Sequence, residues 1–212
     1  FFFFFLAARP TPVVMISTLT EAGAEATLTA FELGAVDFIP KPKLGISEGL
    51  REYADLIIEK ITDAATVRVR SIVKRPDAKG SNPQEKVVAS RLQSTEKIIA
   101  IGASTGGTEA IKDLLMQLPA GVPGIVMTQH MPPGFTKTFA ERLNKLTKLH
   151  VVESKGGERI LPGHAYLAPG GYHMLVVRYG ADYMTKLSEA EPVHRHRPAA
   201  DVMMESVAAA GG

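Results

Sequence analysis

A glycine-flanked serine ends one apolar run of this chain, Ile98-Ile99-Ala100-Ile101-Gly102-Ala103-Ser104-Thr105-Gly106-Gly107. A histidine ends another, Val126-Met127-Thr128-Gln129-His130-Met131-Pro132-Pro133-Gly134. A hydroxyl nucleophile and a base to take its proton are what acyl transfer requires. A strand–turn–helix junction lifts the Ser104 hydroxyl out of the backbone and sets it at a helix N-terminus, where unpaired N–H groups bind negative charge. The backbone of Thr105, Gly106 and Gly107 then supplies candidate oxyanion donors. Gly102-Ala103-Ser104-Thr105-Gly106 also fits the G-x-S-x-G elbow. It is neither a Walker A loop nor a G-x-G-x-x-G turn. Taken singly, each residue has a plainer reading: Ser104 as a structural turn, His130 as the end of a strand before Pro-Pro.

The pair matters because of the elements that must position it. Ser104 and His130 lie about one β-α-β crossover apart, which returns the chain to the same sheet edge. If the two strands are neighbours, about 4.8 Å apart, a Ser–His hydrogen bond is within reach. Gln129 either orients a substrate carbonyl or satisfies loop backbone. His164, His173, His194 and His196 sit on turns without helical pairing or a carboxylate cluster, so no metal site is expected. His194-Arg195-His196-Arg197 is a compact basic patch, either a solvated loop or a site for an acidic partner or a substrate carboxylate.

The same β-α rhythm runs through most of the chain, so the fold class is α/β. Strands are expected at 12–17 and 35–39, a helix at 20–33, and a long helix along Ile46, Leu50, Tyr53, Ile57, Ile61, Ala64 and Ala65. Residues 71–95 lose this periodicity and read as a linker rich in polar and basic groups. Beyond it, strands are expected near 97–102, 124–128, 150–153 and 166–168, and helices near 107–118 and 135–147. Residues 172–178 and 182–187 alternate around Tyr179-Gly180-Ala181 as a hairpin, and the chain ends in a helical stretch.

Composition sets the outer bounds. The 212 residues are 45% hydrophobic and 22% charged with net charge +2, which gives no push toward nucleic acid or a membrane surface. No stretch has the roughly 20 apolar residues a membrane helix needs. The absence of cysteine excludes disulfides and thiolate chemistry and fits a cytoplasmic protein. The run Phe1 to Phe5 reads as an artefact or a truncation scar rather than as a working element.

The two opening strings resemble the chemotaxis protein-glutamate methylesterases, the CheB family. The resemblance continues through Phe139-Ala140-Glu141-Arg142-Leu143-Asn144, Leu161-Pro162-Gly163-His164-Ala165-Tyr166-Leu167-Ala168-Pro169-Gly170 and Arg195-His196-Arg197-Pro198. It implies the C-terminal half of a response-regulator receiver at 1–70, the linker at 71–95, and an incomplete, doubly wound methylesterase domain at 96–212. It implies hydrolysis of glutamate γ-methyl esters on methyl-accepting chemoreceptors, with deamidation of receptor glutamines in some members, and no cofactor. Ser104 matches the family nucleophile and His130 its base. Ser17 matches the receiver's phosphorylation-sensing hydroxyl, Lys41 its phosphoryl-contacting lysine and Phe38 its switch aromatic. A chemotaxis histidine kinase is the implied phosphodonor of the longer parent.

Two departures accompany the resemblance. Neither the front half of the receiver, with its phosphoacceptor aspartate, nor the Gly-Met-Gly-Asn-Asp-Gly-like segment that carries the triad acid occurs in these residues. Asp201 follows the basic patch, but the resemblance gives it no triad role. The expectation is therefore a chain truncated at both ends and weakly active or inactive as an esterase. The alternative is a non-catalytic module that docks on a receptor or kinase. An unrelated small-molecule α/β-hydrolase is disfavoured, because its histidine follows its acid late in the chain.

Overall fold

The computed structural model describes residues 11–41, 50–67, 69 and 97–211. The phenylalanine run, Ile46 and the expected linker at 71–95 lie outside the described residues. The N-terminal unit is β1 (Val13–Ser17), α1 (Glu21–Glu32), β2 (Ala35–Pro40) and α2 (Leu50–Thr66). β1 and β2 are parallel. Thr20 caps α1 by accepting the Gly23 N–H at 3.1 Å, the role for which a hydroxyl before an apolar helix is suited.

The C-terminal half opens with β3 (Ile98–Ala103), α3 (Gly107–Gln117), β4 (Gly124–Gln129), α4 (Phe135–Leu146), β5 (His150–Glu153) and β6 (His164–Leu167). These four strands form a parallel sheet in the order β3-β4-β6-β5. β7 (His173–Tyr179) and β8 (Asp182–Ser188) follow as an antiparallel hairpin, and α5 (Ala200–Gly211) ends the described chain. Tyr179 pairs with Asp182, so the hairpin loop is Gly180-Ala181, with Gly180 at φ 62. The elements expected within the described residues are present, with ends shifted by a residue or two, while the expected start of α2 at Ile46 lies outside those residues.

Strand alternation divides the C-terminal half into two cores. Ile99, Ile101, Ile125, Met127, Ala165 and Leu167 face α3 and α4, where Ile111, Leu115, Phe139 and Leu143 bury. Their neighbours Ile98, Ala100, Val126, Tyr166 and Ala168 face the hairpin and α5, meeting Met174, Val176 and Met203. Helices on one face and a hairpin with a helix on the other explain why β4 is buried along its whole length. The first core does not stop at the sheet's helices. Ala24, Leu28, Phe31, Ala35 and Phe38 of the N-terminal unit belong to the same contiguous cluster. Phe38 stacks on Phe135 at a centroid distance of 4.5 Å and 8° between planes.

Ile125 and Val126 are both fully buried but serve opposite cores. Ile125→Ala and Leu143→Ala should each lower stability by about 2–5 kcal/mol. The check is a lower urea midpoint at an unchanged slope.

Candidate active site

β3 and β4 pair in register, with Gly102 opposite Thr128 and Ala103 opposite Gln129. Ser104 and His130 are the next residues on each strand and emerge side by side at the carboxyl edge of the sheet. His130 Nδ1 lies 3.2 Å from Ser104 Oγ. The tautomer carrying its proton on Nε2 presents a lone pair to that hydroxyl. Gln129 locks the turn from below, its Nε2 donating to the Ser104 carbonyl at 2.9 Å. Of its two sequence readings, satisfaction of loop backbone is the one the structure displays. Its Oε1 is buried without a partner among the described residues, and a Cβ on Gly107 would collide with it.

The turn reaches helix α3 through Gly106, whose φ of 75 is the left-handed conformation glycine adopts freely. The three backbone donors expected there are placed differently. Gly107 N–H donates to the Ser104 carbonyl at 2.7 Å and Gly106 N–H to the Val36 carbonyl of β2 at 2.9 Å. The Thr105 N–H has no protein acceptor among the described residues. After His130, Pro132 and Pro133 press against Gly170, where a Cβ would overlap their backbone. The Gly170 N–H also donates to Thr136 Oγ1 at 2.9 Å, which fixes the loop that carries the histidine.

His130 is partly buried and its ring stacks on that of His196, centroids 3.8 Å apart. Burial, then the charges of His196 and Lys60, push its pKa from the ordinary 6.5 down to about 4, while Asp201 and Asp37 pull weakly upward. His196 is itself lowered, chiefly by burial, with Glu59 opposing the shift. Both imidazoles are therefore neutral near pH 7. Among the described residues no carboxylate hydrogen-bonds the second ring nitrogen of His130. Asp201 instead faces His194, 3.8 Å away.

The N-terminal unit supplies residues whose place at the site was not foreseen. Asp37 is 6% exposed, accepts a hydrogen bond from Thr105 Oγ1 and pairs with Lys60 Nζ at 2.9 Å. A cavity of about 190 Å³ beside His130 is lined by Phe38, Leu56 and Lys60 from this unit and by Arg195 and His196 from the other side. No sequence signal pointed to Asp37 or Lys60, because α2 reads as an ordinary amphipathic helix and the Asp37–Thr105 contact spans 68 residues. The remaining expected residues lie apart from the serine. Ser17 Oγ donates to the Gly23 carbonyl at 3.1 Å, and the exposed Lys41 donates its N–H to the Ser17 carbonyl at 2.6 Å. Phe38 is buried between Phe31 and Phe135. His173 is buried and bonded to the Glu191 carbonyl and the Ala199 N–H, a structural role.

The profile of the CheB methylesterase family matches residues 99–212, which includes both members of the Ser–His pair. The chain belongs to the CheB methylesterase family. It is 58% identical over 206 residues to the protein-glutamate methylesterase/protein-glutamine glutaminase of Thiobacillus denitrificans, covering 96% of this chain and 57% of that protein. It is 58% identical over 207 residues to protein-glutamate methylesterase/protein-glutamine glutaminase 2 of Pseudomonas aeruginosa, covering 98% of this chain and 58% of the relative. The chain thus spans less than three fifths of these CheB relatives. The crystal structure of the Thermotoga maritima CheB methylesterase catalytic domain superposes with a TM-score of 0.52 at 38% identity, over 53% of this chain and 60% of that one. No helix among the described residues is long and apolar enough to cross a membrane.

The depressed His130 has a consequence for pH. In the unfolded chain an imidazole titrates near 6.5, and in the folded protein His130 titrates near 4. Between those values the unfolded state binds more protons, so this contribution to stability is complete above 6.5 and is lost as pH falls toward 4. The melting temperature should be lower at about pH 5 than at about pH 7. The His130 ring resonances in NMR should stay those of neutral imidazole until close to pH 4; a midpoint near 6.5 would contradict the assignment.

Proposed function

We propose that this chain is a serine esterase that hydrolyses glutamate γ-methyl esters in proteins, in chemotaxis adaptation. The observation that carries the proposal is the 3.2 Å approach of Ser104 Oγ to His130 Nδ1 at the ends of two adjacent parallel strands. His130 takes the Ser104 proton as Oγ attacks the ester carbonyl. The Thr105 N–H at the start of α3, and those of Gly106 and Gly107 once released from their present acceptors, stabilise the charge that develops on the carbonyl oxygen. The tetrahedral intermediate collapses, the C–O bond breaks, and the proton held by His130 leaves with methanol. Water, activated by the same imidazole, then cleaves the acyl-serine to give glutamate and restore the hydroxyl. A γ-carboxamide follows the same path with ammonia as leaving group, which makes glutamine deamidation a second activity of one site. No step calls on a metal or an organic cofactor.

The protein substrates are methyl-accepting chemoreceptors and the setting is the cytoplasm. Residues 1–70 are the C-terminal half of a receiver and 96–212 the catalytic domain. Ser17 ends β1 and Lys41 follows β2, the positions matched to the phosphoryl-sensing hydroxyl and the phosphoryl-contacting lysine of a receiver. Phe38, packed on Phe135, is the aromatic that links the two halves. The phosphodonor to the longer parent is a chemotaxis histidine kinase.

A serine-directed fluorophosphonate separates this enzyme from a docking module without catalysis. Ser104 should be labelled, Ser104→Ala should abolish the label, and His130→Ala should slow labelling by about 10²–10⁴-fold. An unlabelled Ser104 in folded protein would leave only docking. Because no described carboxylate orients His130, turnover should fall about 10⁴-fold below that of the longer Thiobacillus denitrificans relative. Equal rates in a methanol-release assay would refute that.

A further inference from the structure

Ser104 and His130 stand at the carboxyl ends of the parallel strands. Two other histidines stand at the amino ends. His150 is the first residue of β5 and His164 the first of β6, and the two are partners across the parallel ladder. Partners on neighbouring strands lie about 4.8 Å apart and send their side chains to the same face. By strand alternation that face is the one on which Val152 and Tyr166 pack into the second core. The imidazoles meet there edge to face, with ring centroids 5.0 Å apart and 71° between planes. His164 has no helical partner in the sequence, and its partner comes instead from the adjacent strand.

The tautomer of His164 is set by its surroundings. Its Nδ1 lies 3.1 Å from the Pro162 carbonyl, which can only accept, so the proton sits on Nδ1 and Nε2 keeps its lone pair. Metal-ligating histidines share this arrangement, with the other ring N–H donated to a backbone carbonyl. Tyr166 flanks the same ring at 6.2 Å and 15°, and its hydroxyl is anchored on the Arg159 carbonyl at 2.6 Å. The spacing of the two rings fits a shared ion. Nitrogens about 2.0–2.1 Å from one tetrahedral ion place their ring centroids about 5 Å apart. A cavity of about 400 Å³ opens over the pair and leaves room for water. Of the two cations in its wall, Arg159 is paired with Asp182 at 2.7 Å and Lys155 is exposed to solvent. Glu158, also in the wall, is held by Ser154 and Thr185, so it lends negative charge rather than a ligand. Among the described residues no group of three or more His, Cys, Asp or Glu is placed to hold a metal ion, so the protein ligands here are the two imidazoles.

We infer that His150 and His164 form a surface site for a borderline divalent transition ion, zinc above all, with water in the remaining positions. Imidazole suits zinc, copper and nickel, whereas magnesium and calcium seek carboxylate, carbonyl and water oxygens. The bound ion ties edge strand β5 to β6 at their first residues, where the His150 N–H already donates to the Gly163 carbonyl at 2.9 Å. The site lies at the opposite end of the strands from Ser104 and takes no part in the esterase chemistry, so either holds without the other.

The test uses the whole chain and zinc chloride, followed by calorimetry and by NMR of the imidazole nitrogens. Zinc should shift the ring resonances of His150 and His164 together and leave those of the buried His173 in place. His150→Gln and His164→Gln should each weaken zinc binding about tenfold or more, since each removes half of the protein ligands. Magnesium in place of zinc should shift neither ring. With zinc at about ten times its Kd the melting temperature should rise by about 3–6 °C, and the rise should vanish in the double variant. The NMR arm needs no substitution, so it decides the matter even if a variant fails to fold. Shifts confined to other histidines, or an affinity unchanged in both single variants, would overturn the site. Zinc that persists in the double variant and slows fluorophosphonate labelling of Ser104 belongs to His130 and His196, and overturns it equally. Zinc bound at His150 and His164 in a chain whose Ser104 resists the fluorophosphonate would sink the esterase and leave the metal site standing.

Discussion

The in-register parallel pairing of β3 with β4 is the constraint on which everything at the site depends. With Ala103 opposite Gln129, the two strands end level, and the residues that follow are the serine and the histidine. A slip of one residue would turn Val126 toward the wrong core and carry His130 away from Oγ. The two-core packing opposes that slip, because every other residue of β4 is committed to a different layer. Gln129 ties register to chemistry, since the last residue of β4 holds the carbonyl of Ser104. Its unpartnered Oε1 is a cost accepted at that point, as an unsatisfied buried acceptor is normally avoided.

Electrostatics at the base work in two directions. The proposed proton transfer from Ser104 needs a neutral imidazole, and burial beside His196 and Lys60 keeps His130 neutral well below pH 7. The same surroundings disfavour the imidazolium that would form in the proposed attack by Oγ. In the serine-protease template a buried carboxylate removes that conflict by stabilising the imidazolium and fixing its tautomer. Here Asp201 and Asp37 act on His130 only through space, and Asp37 is already engaged by Lys60 and Thr105. Lys60 belongs to α2, so the N-terminal unit weakens the base as well as covering it.

Local pattern made the elements and the Ser–His pair legible. Ile98 to Ala103 and Gly124 to Gln129 are apolar runs ending at turn residues, and the crossover length between them dictates adjacency. The basic loop was visible as a cluster of charge, although its occupant was not. What the sequence did not disclose are contacts made at long range between surfaces. Asp37 reads as a polar residue inside a strand, and nothing nearby predicts that its carboxylate meets Thr105. Asp55, Glu59 and Lys60 read as the solvated side of a helix, because an amphipathic pattern records which face is apolar but not what the polar face meets. Gly106 and Gly107 read as oxyanion donors on local geometry alone. Their acceptors come from β2 and from the turn itself.

The contacts of the N-terminal unit with the site differ in strength along its length. At one end, Asp37 and Lys60 form a buried pair, and Phe38 stacks on Phe135 within a continuous core. Removing one partner of such a pair leaves a buried charge, which is costly. At the other end, Arg195, Asp55 and Glu59 meet largely in solvent, where ion pairs contribute about 0–1 kcal/mol. The exposed ion pairs of α2 at the rim therefore open far more easily than the buried contacts of β2. Displacing the rim frees Arg195 and His196 while Val36 still holds the Gly106 N–H. Opening of the rim and release of that donor are thus separable, and the second requires breaking the buried contacts of β2 rather than the exposed ones of α2.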